Sequence, residues 1–368
     1  MTKSRGKQKM ANKEEKKTDE QDLVQKAPKF PGRGLDVGTM WLASAWKEND
    51  GAIKVSKIRD AFLDLENRKE IRQMLKMSNA NYVEKDDQII IVGDRAMEYA
   101  NLFKKEVRRP LSQGVIAAGE IDAQEILTII IKDLLGEPRV EEEIVHFSVP
   151  AEPIDKSQKT IYHQRVFKKI VSSLGYKPLP MNEAAAISFS NAAKDNFSAI
   201  AISFGAGMCN VNIMYQALSG LEFSIARGGD WIDEQSADAV GTTKSRIVSI
   251  KEENMNLMDP SDGDKKYIRE REAIMFHYQA LIEYALDTIV KQFKKVSADF
   301  VIPHPIPLII AGGTSMAEGF VELFKKTFEE YKGFPIDISE VRHATDPLFA
   351  VSQGLLVASL NYDDDDDE

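Results

Sequence analysis

At 368 residues the chain is long enough for two domains with sizeable cores, since single cores stop growing at about 250–300 residues. Its 43% hydrophobic and 29% charged residues are those of a soluble globular protein, and no run approaches the roughly 18 apolar residues of a membrane-spanning helix. A net charge of −10 gives nucleic acid no basic footprint on the portion expected to fold, and one cysteine, Cys209, forms no internal disulfide and fits a cytoplasmic location.

The charge is uneven. Residues 1–30 carry nine Lys or Arg against five acids, and residues 363–368 are five aspartates and a glutamate. Both ends are expected to be solvated and disordered. A second reading lets the basic arm touch anionic lipid or an acidic partner, but Asp22-Leu23-Val24 is too short for an amphipathic membrane helix. Order is expected from Phe30.

Residues Gly34 to Trp46 alternate as a strand, a tight turn at Gly38 and a second strand. Gln88–Gly93 reads as a strand leading into a helix over Asp94–Lys105. Ile126, Ile129, Ile130 and Leu134 fall at helical spacing within Asp122–Leu135. Glu143–Pro150 reads as a strand, and Lys156–Leu174 as a helix ending at Gly175. Pro180 then leads into a helix over Asn182–Ala193.

The second half opens as the first did. Ser198–Tyr215 is strand, Gly-rich turn and strand, and Gly220–Ala226 continues the sheet. Gly228-Gly229-Asp230 precedes a helix with Asp230 as its expected N-cap, and Ile247–Met258 is expected to be helical. Glu270–Lys295 is the longest helix. Pro307–Ala311 is a buried strand, Gly312-Gly313 a turn, and Met316–Tyr331 a helix. Leu35-Asp36-Val37-Gly38-Thr39 and Ile202-Ser203-Phe204-Gly205-Ala206-Gly207 each open one half of an alternating strand and helix chain. This weak repeat predicts two facing lobes with a cleft between them.

Three Gly turns at strand ends let backbone N–H groups approach an anion closely. The first carries Asp36, an acid in an apolar strand, costly to bury unless paired or near a metal; its alternative role is to cap its own turn.

At these residues the chain resembles the actin-like ATPases. Gly34-Leu35-Asp36-Val37-Gly38-Thr39 is similar to their first phosphate loop, Ser203-Phe204-Gly205-Ala206-Gly207 to the second, and Leu308-Ile309-Ile310-Ala311-Gly312-Gly313-Thr314-Ser315 to the adenosine loop. Asn182–Ile187 and Gln353–Ala358 resemble the family's two connecting helices. Arg109–Ala117, Val149-Pro150 and Arg227-Gly228-Gly229-Asp230 are similar to the MreB/MamK branch, and the likeness runs from about residue 33 to 360.

The resemblance implies an α/β, actin-like (ribonuclease H-like, duplicated) two-lobed fold holding ATP and Mg²⁺ in the cleft. Lobe I would span 31–193, with a small subdomain at about 55–115. Lobe II would span 194–345, and a C-terminal helix over 346–362 would return to lobe I. By the same resemblance Asp36 holds the hydrated Mg²⁺ and Glu183 orients the attacking water. Gly38, Thr39, Ser203, Gly205 and Gly207 line the phosphates, Gly229 and Lys251 approach the ribose and base, and Gly312, Gly313 and Thr314 pass beneath the adenosine. Glu183 has an alternative role as a favourable charge at a helix N-terminus.

Two departures qualify the inheritance. The second phosphate loop of active members starts with aspartate where this chain has Ser203; losing one charge-assisted contact costs about 1.5–3 kcal/mol, a ten- to hundred-fold effect on metal affinity or rate. Met208 and Met40 also replace small polar residues. The fourth subdomain, about 252–269, is reduced to some twenty polar residues, and the spacing from Gly228-Gly229-Asp230 to Ile250-Lys251 is also similar to the shorter FtsA/PilM branch. The leading expectation is an ATP-binding protein that self-associates into nucleotide-dependent filaments and is at most a weak ATPase. The alternative is a nucleotide-gated adapter that does not polymerise. A small-molecule kinase lacks a candidate base, and the five histidines lack metal-ligand spacing.

Overall fold

A computed structural model describes residues 31–78, 80–253 and 255–362; the basic arm expected over 1–30 and the acidic tail over 363–368 lie outside the described residues. The first sheet begins with a meander of β1 (Gly32–Val37), β2 (Trp41–Lys47) and β3 (Ile53–Arg59), in which Arg33 faces Trp46 and Val37 faces Leu42. A smaller unit follows: β4 (Phe62–Glu66), α1 (Lys69–Met77), β5 (Tyr82–Lys85), β6 (Gln88–Val92) and α2 (Asp94–Phe103), its strands ordered β4-β6-β5. Both faces of β6 are buried. Ile89 and Ile91 fill this unit's own core, while Ile90 and Val92 pack into the main core of the first lobe. A two-strand ribbon, β7 (Leu111–Ser112) and β8 (Val115–Ile116), turns at Gln113-Gly114, both at positive φ as a two-residue hairpin turn requires.

Then come α3 (Ala123–Leu135), β9 (Ile144–Val149), α4 (Ile161–Ser173), β10 (Lys177–Asn182) and α5 (Glu183–Asn191), which complete a five-stranded sheet ordered β10-β9-β1-β2-β3. The second half contains β11 (Ala199–Phe204), β12 (Cys209–Tyr215), β13 (Leu218–Ile225), α6 (Gly229–Val240), α7 (Lys244–Glu252), α8 (Ile268–Val296), β14 (Ile306–Ala311), α9 (Phe320–Glu330), β15 (Ile338–His343) and α10 (Ala350–Leu360). Its sheet runs β13-β12-β11-β14-β15. Each sheet is thus an antiparallel meander with two parallel strands added beside its first strand. The repeat seen in the sequence is a duplicated fold.

Several local expectations are corrected. Lys177–Asn182, given no element in the sequence, is a strand that leads into α5; it pairs in parallel with β9 at the sheet edge, where Pro178 and Pro180 are tolerated. The helix expected from Lys156 starts at Ile161, and Pro153 ahead of it lies against Ser224 of β13 as an isolated parallel bridge. Asp230 is not an N-cap: Gly228 occupies that position and Asp230 sits in the first turn. The helix expected over Ile247–Met258 is Lys244–Glu252, capped early by Thr243, whose hydroxyl accepts the Arg246 N–H. Gly319, at φ +80°, delays the helix expected from Met316 to Phe320.

Each lobe has its own apolar core, and a third cluster joins them. This waist is made of small residues, among them Ala186, Ala199, Ala201, Ala311 and Ala350, where α5 and α10 meet β11 and β14. There is no slack in it. A Cβ at Gly354 would lie 1.7 Å from the Ala186 carbonyl oxygen, and one at Gly34 would lie 2.0 Å from that of Ser352. Among the described residues no helix is long and apolar enough to cross a membrane. Gly354→Ala is expected to destabilise the chain by about 1–3 kcal/mol or more, since backbone on both sides must move. Urea unfolding followed by circular dichroism reads this as an earlier midpoint, with Gly119→Ala, which meets nothing within 4 Å, as the unchanged control.

Candidate functional site

A cavity of about 350 Å³ opens between the two sheets, within the range of small-molecule sites. All twelve residues singled out in the sequence line it: Asp36, Gly38, Thr39, Glu183, Ser203, Gly205, Gly207, Gly229, Lys251, Gly312, Gly313 and Thr314. They come from both halves of the chain and meet only through the fold.

Asp36 stands near the end of β1. Its Oδ1 accepts the Ser148 hydroxyl of β9 at 2.9 Å, and the Ser148 oxygen in turn accepts the Val37 N–H at 2.7 Å. The turn that follows is closed by backbone, Gly38 N–H to the Trp41 carbonyl at 3.1 Å, so Asp36 is not needed to cap it. Burial, and then the nearby Glu183 charge, push the Asp36 carboxyl well above the usual carboxylate range, against the Ser148 and Val37 hydrogen bonds.

Glu183 opens α5, but the helix is capped by its neighbour: Asn182 Oδ1 accepts the N–H groups of Ala184 at 2.9 Å and Ala185 at 3.1 Å. The Glu183 carboxylate instead reaches the second sheet. Oε1 accepts the Ser203 hydroxyl at 2.6 Å and Oε2 accepts Asn210 Nδ2–H at 2.8 Å. Burial raises its pKa and these two donors oppose the shift. Ser203, expected to line the phosphates, commits its hydroxyl proton to Glu183.

The glycine turns interlock. Gly114 donates its N–H to Thr39 Oγ1 at 3.0 Å, and a Cβ on Gly207 would lie 2.5 Å from both that oxygen and the Gly114 nitrogen. Met208 packs its thioether against Gly114, filling the space a Cβ there would need. On the far side, Thr314 Oγ1 donates to the Gly205 carbonyl at 2.9 Å, and Gly312, at φ +96°, lets the chain pass against the Phe204 backbone. Lys251 Nζ pairs with Asp233 Oδ1 at 2.6 Å and also reaches the Gly229 carbonyl at 3.5 Å. Arg109 meets Asp230 at 2.8 Å across the cleft mouth, and Lys244 approaches the same aspartate at 3.4 Å.

Several of these participants escaped the sequence, among them Ser148, Asn210, Gly114, Asp233 and Arg109 as a cross-cleft ion pair. Asn210 left one trace, the alternation of Asn210 and Asn212 in an otherwise apolar strand. Among the described residues no group of three or more His, Cys, Asp or Glu side chains is placed to hold a metal. Two desolvated carboxylates beside glycine turns nevertheless suit Mg²⁺, which keeps much of its water and binds through one or two carboxylates together with substrate phosphates.

The architecture matches known structures over nearly the whole chain. A MamK double helical filament superposes with a TM-score of 0.62 at 15% identity, covering 90% of this chain and 99% of that one. MreB5 of Spiroplasma citri bound to ADP gives 0.60 at 15% identity, covering 90% and 96%. The ethanolamine utilization protein EutJ of Carboxydothermus hydrogenoformans gives 0.50 at 13% identity, covering 89% of each. These likenesses establish the actin-like two-lobed fold. No curated protein matches the sequence. The family model described as Volactin matches residues 32–359, and on that match, with the duplicated fold beneath it, the chain belongs to the Volactin family.

Proposed function

We propose that this chain binds ATP with Mg²⁺ in the cleft between its lobes and that the nucleotide state controls its assembly into cytoskeletal filaments. The observation that carries the reading is the convergence on one cavity of three glycine turns and two buried carboxylates that meet no cation among the described residues. The ADP held by Spiroplasma citri MreB5 and the filament formed by MamK, proteins of the same fold, support it.

In this reading Mg²⁺ neutralises charge on the phosphate oxygens. Asp36, desolvated and fixed by Ser148, would hold the ion. The turns at Gly38-Thr39 and Gly205–Gly207 accept phosphates because no Cβ blocks their backbone. Lys251, aligned by Asp233, faces the ribose and base, while Gly312–Thr314 form the floor under the adenosine. Glu183 is aimed by Ser203 and Asn210 at the end of the phosphate channel, where it orients water.

A non-polymerising scaffold is the second reading, favoured by one observation: α7 and α8 are joined by residues 253–267 with no more regular structure among the described residues than the 3₁₀ turn Lys265–Tyr267. Sedimentation with ATP·Mg²⁺, with ADP and without nucleotide separates the two. The expected outcome is pelleting with ATP alone and slow phosphate release in the same tubes. A chain that binds ATP but stays in the supernatant under every condition is the scaffold.

The Asp36 environment adds a second expectation. An acid whose folded pKa is raised stabilises the fold fully below its unfolded value, about 3.9, and loses that contribution as pH rises through the folded value. Near pH 7 Asp36 therefore weighs against folding, so Asp36→Asn should melt higher than wild type without nucleotide, the gain vanishing as pH falls towards about 4. The same variant should bind ATP·Mg²⁺ about ten- to hundred-fold more weakly. Thermal melts across pH, with and without ATP·Mg²⁺, read both effects; a lower apo melting point at pH 7 with unchanged ATP affinity contradicts the assignment.

A further inference from the structure

Resting on the cleft as a nucleotide site, we propose that Asn210, backed by Ser224, is a positioning residue that fixes the carboxylate of Glu183. The argument starts from strand register. Ser203 of β11 lies opposite Asn210 of β12, and Asn210 lies opposite Ser224 of β13. Directly opposed residues share a sheet face, so these three form one polar row across three neighbouring strands. The row is buried, with Ser203, Asn210 and Ser224 exposed by only 1%, 2% and 0%. Polar side chains are costly in such a place unless each finds a partner.

Here each does, and one group sets all the directions. An ionised carboxylate only accepts, so Ser203 gives its hydroxyl hydrogen to Oε1 and Asn210 gives its amide hydrogen to Oε2. That turns the Asn210 carbonyl away from Glu183, where it accepts the Ser224 hydroxyl. Ser224 is itself pinned by backbone: its carbonyl accepts the Ile154 N–H at 3.0 Å. Ile154 belongs to the segment that leaves β9 of the first sheet, so the row is braced from both lobes. Both oxygens of Glu183 are thereby held from the second sheet while its main chain belongs to α5. A carboxylate fixed at both oxygens presents its remaining lone pairs to the cavity in one orientation, which is what lining up a water requires. Ser203 alone leaves the group free to swing about that single bond.

The test uses the full chain with ATP bound beforehand. Phosphate release is followed over a single turnover, and affinity is titrated with a fluorescent ATP analogue. Asn210→Ala should slow release about ten- to hundred-fold while the dissociation constant stays within about threefold, because the role lies in orientation rather than binding. Ser224→Ala, which removes only the brace, should slow release in the same direction by less. In a Glu183→Gln background, Asn210→Ala should have no further effect, since it acts through that carboxylate. Should Asn210→Ala not fold, the isosteric Asn210→Asp, which replaces a donor with an acceptor facing Glu183, should slow release as strongly. Unchanged release in the Asn210 variants overturns the proposal, as does a full additional loss in the Glu183→Gln background. A wild-type chain that binds ATP but releases phosphate no faster than Glu183→Gln overturns it while leaving the nucleotide site intact. A wild-type chain that binds no nucleotide removes both.

Discussion

The two helices that link the lobes, α5 and α10, pack on each other and on β1 with no room between them. Backbone at Gly354 rests against Ala186, backbone at Gly34 rests against Ser352, and alanines fill what remains. A contact of this kind contributes little apolar area but fixes separation sharply, because close-packed backbone cannot be compressed. The position of every turn in the cleft follows from it, since β1 and β11, which carry the first two turns, are anchored on either side of this waist. Beyond it the contacts change character. Arg109 with Asp230 and the Asp155 bond to Tyr284 span the lobes with polar, partly exposed groups. Pairs of this sort are worth about 0–1 kcal/mol each. The molecule is rigid where the sheets join and weakly tied where the cavity opens, a distribution that suits a cleft that must admit a ligand.

Much of this was legible because glycine and periodicity report on backbone. The two strand-turn-strand openings, the long α8 and the apolar β14 are written in runs and spacings that few other structures satisfy. What was missed has physical reasons. β10 carries two prolines, which argue against a central strand, and only the sheet order shows that it lies at an edge. Helix starts shifted because a capping threonine and a left-handed glycine outrank hydrophobic spacing at a terminus.

The candidate site divides in the same way. Its glycines and Asp36 are local signals, since an acid in an apolar strand is conspicuous wherever it lies. Asn210 is not local. A polar residue at alternate positions of a strand reads as a solvated face, and nothing in the sequence says that the opposite wall holds a glutamate from another element. Ser203 shows the converse limit: it lines the cavity, but nothing in the sequence names Glu183 as the partner of its hydroxyl. The direction of a hydroxyl is a property of three dimensions.

The charges in the cavity are sorted. Asp233 faces Lys251 and Asp230 faces Arg109 and Lys244, so these two acids, on the side proposed for the ribose and base, arrive with their own cations. Asp36 and Glu183 have none among the described residues; they are held by Ser148, Ser203 and Asn210, neutral donors that orient a carboxylate without cancelling its charge. Both are pushed upward by burial, and Asp36 is pushed further by the Glu183 charge. Such an arrangement opposes folding and is kept only where something positive is to be received. Replacing an aspartate by Ser203 lowers that demand: two like charges already strain one another, and a third carboxylate within hydrogen-bonding distance of Glu183 would leave one of them protonated. The serine thus spares the empty cleft a repulsion and turns the same position into a donor for Glu183. Cation attraction is given up for orientation, which in the proposed reading favours holding ATP over hydrolysing it.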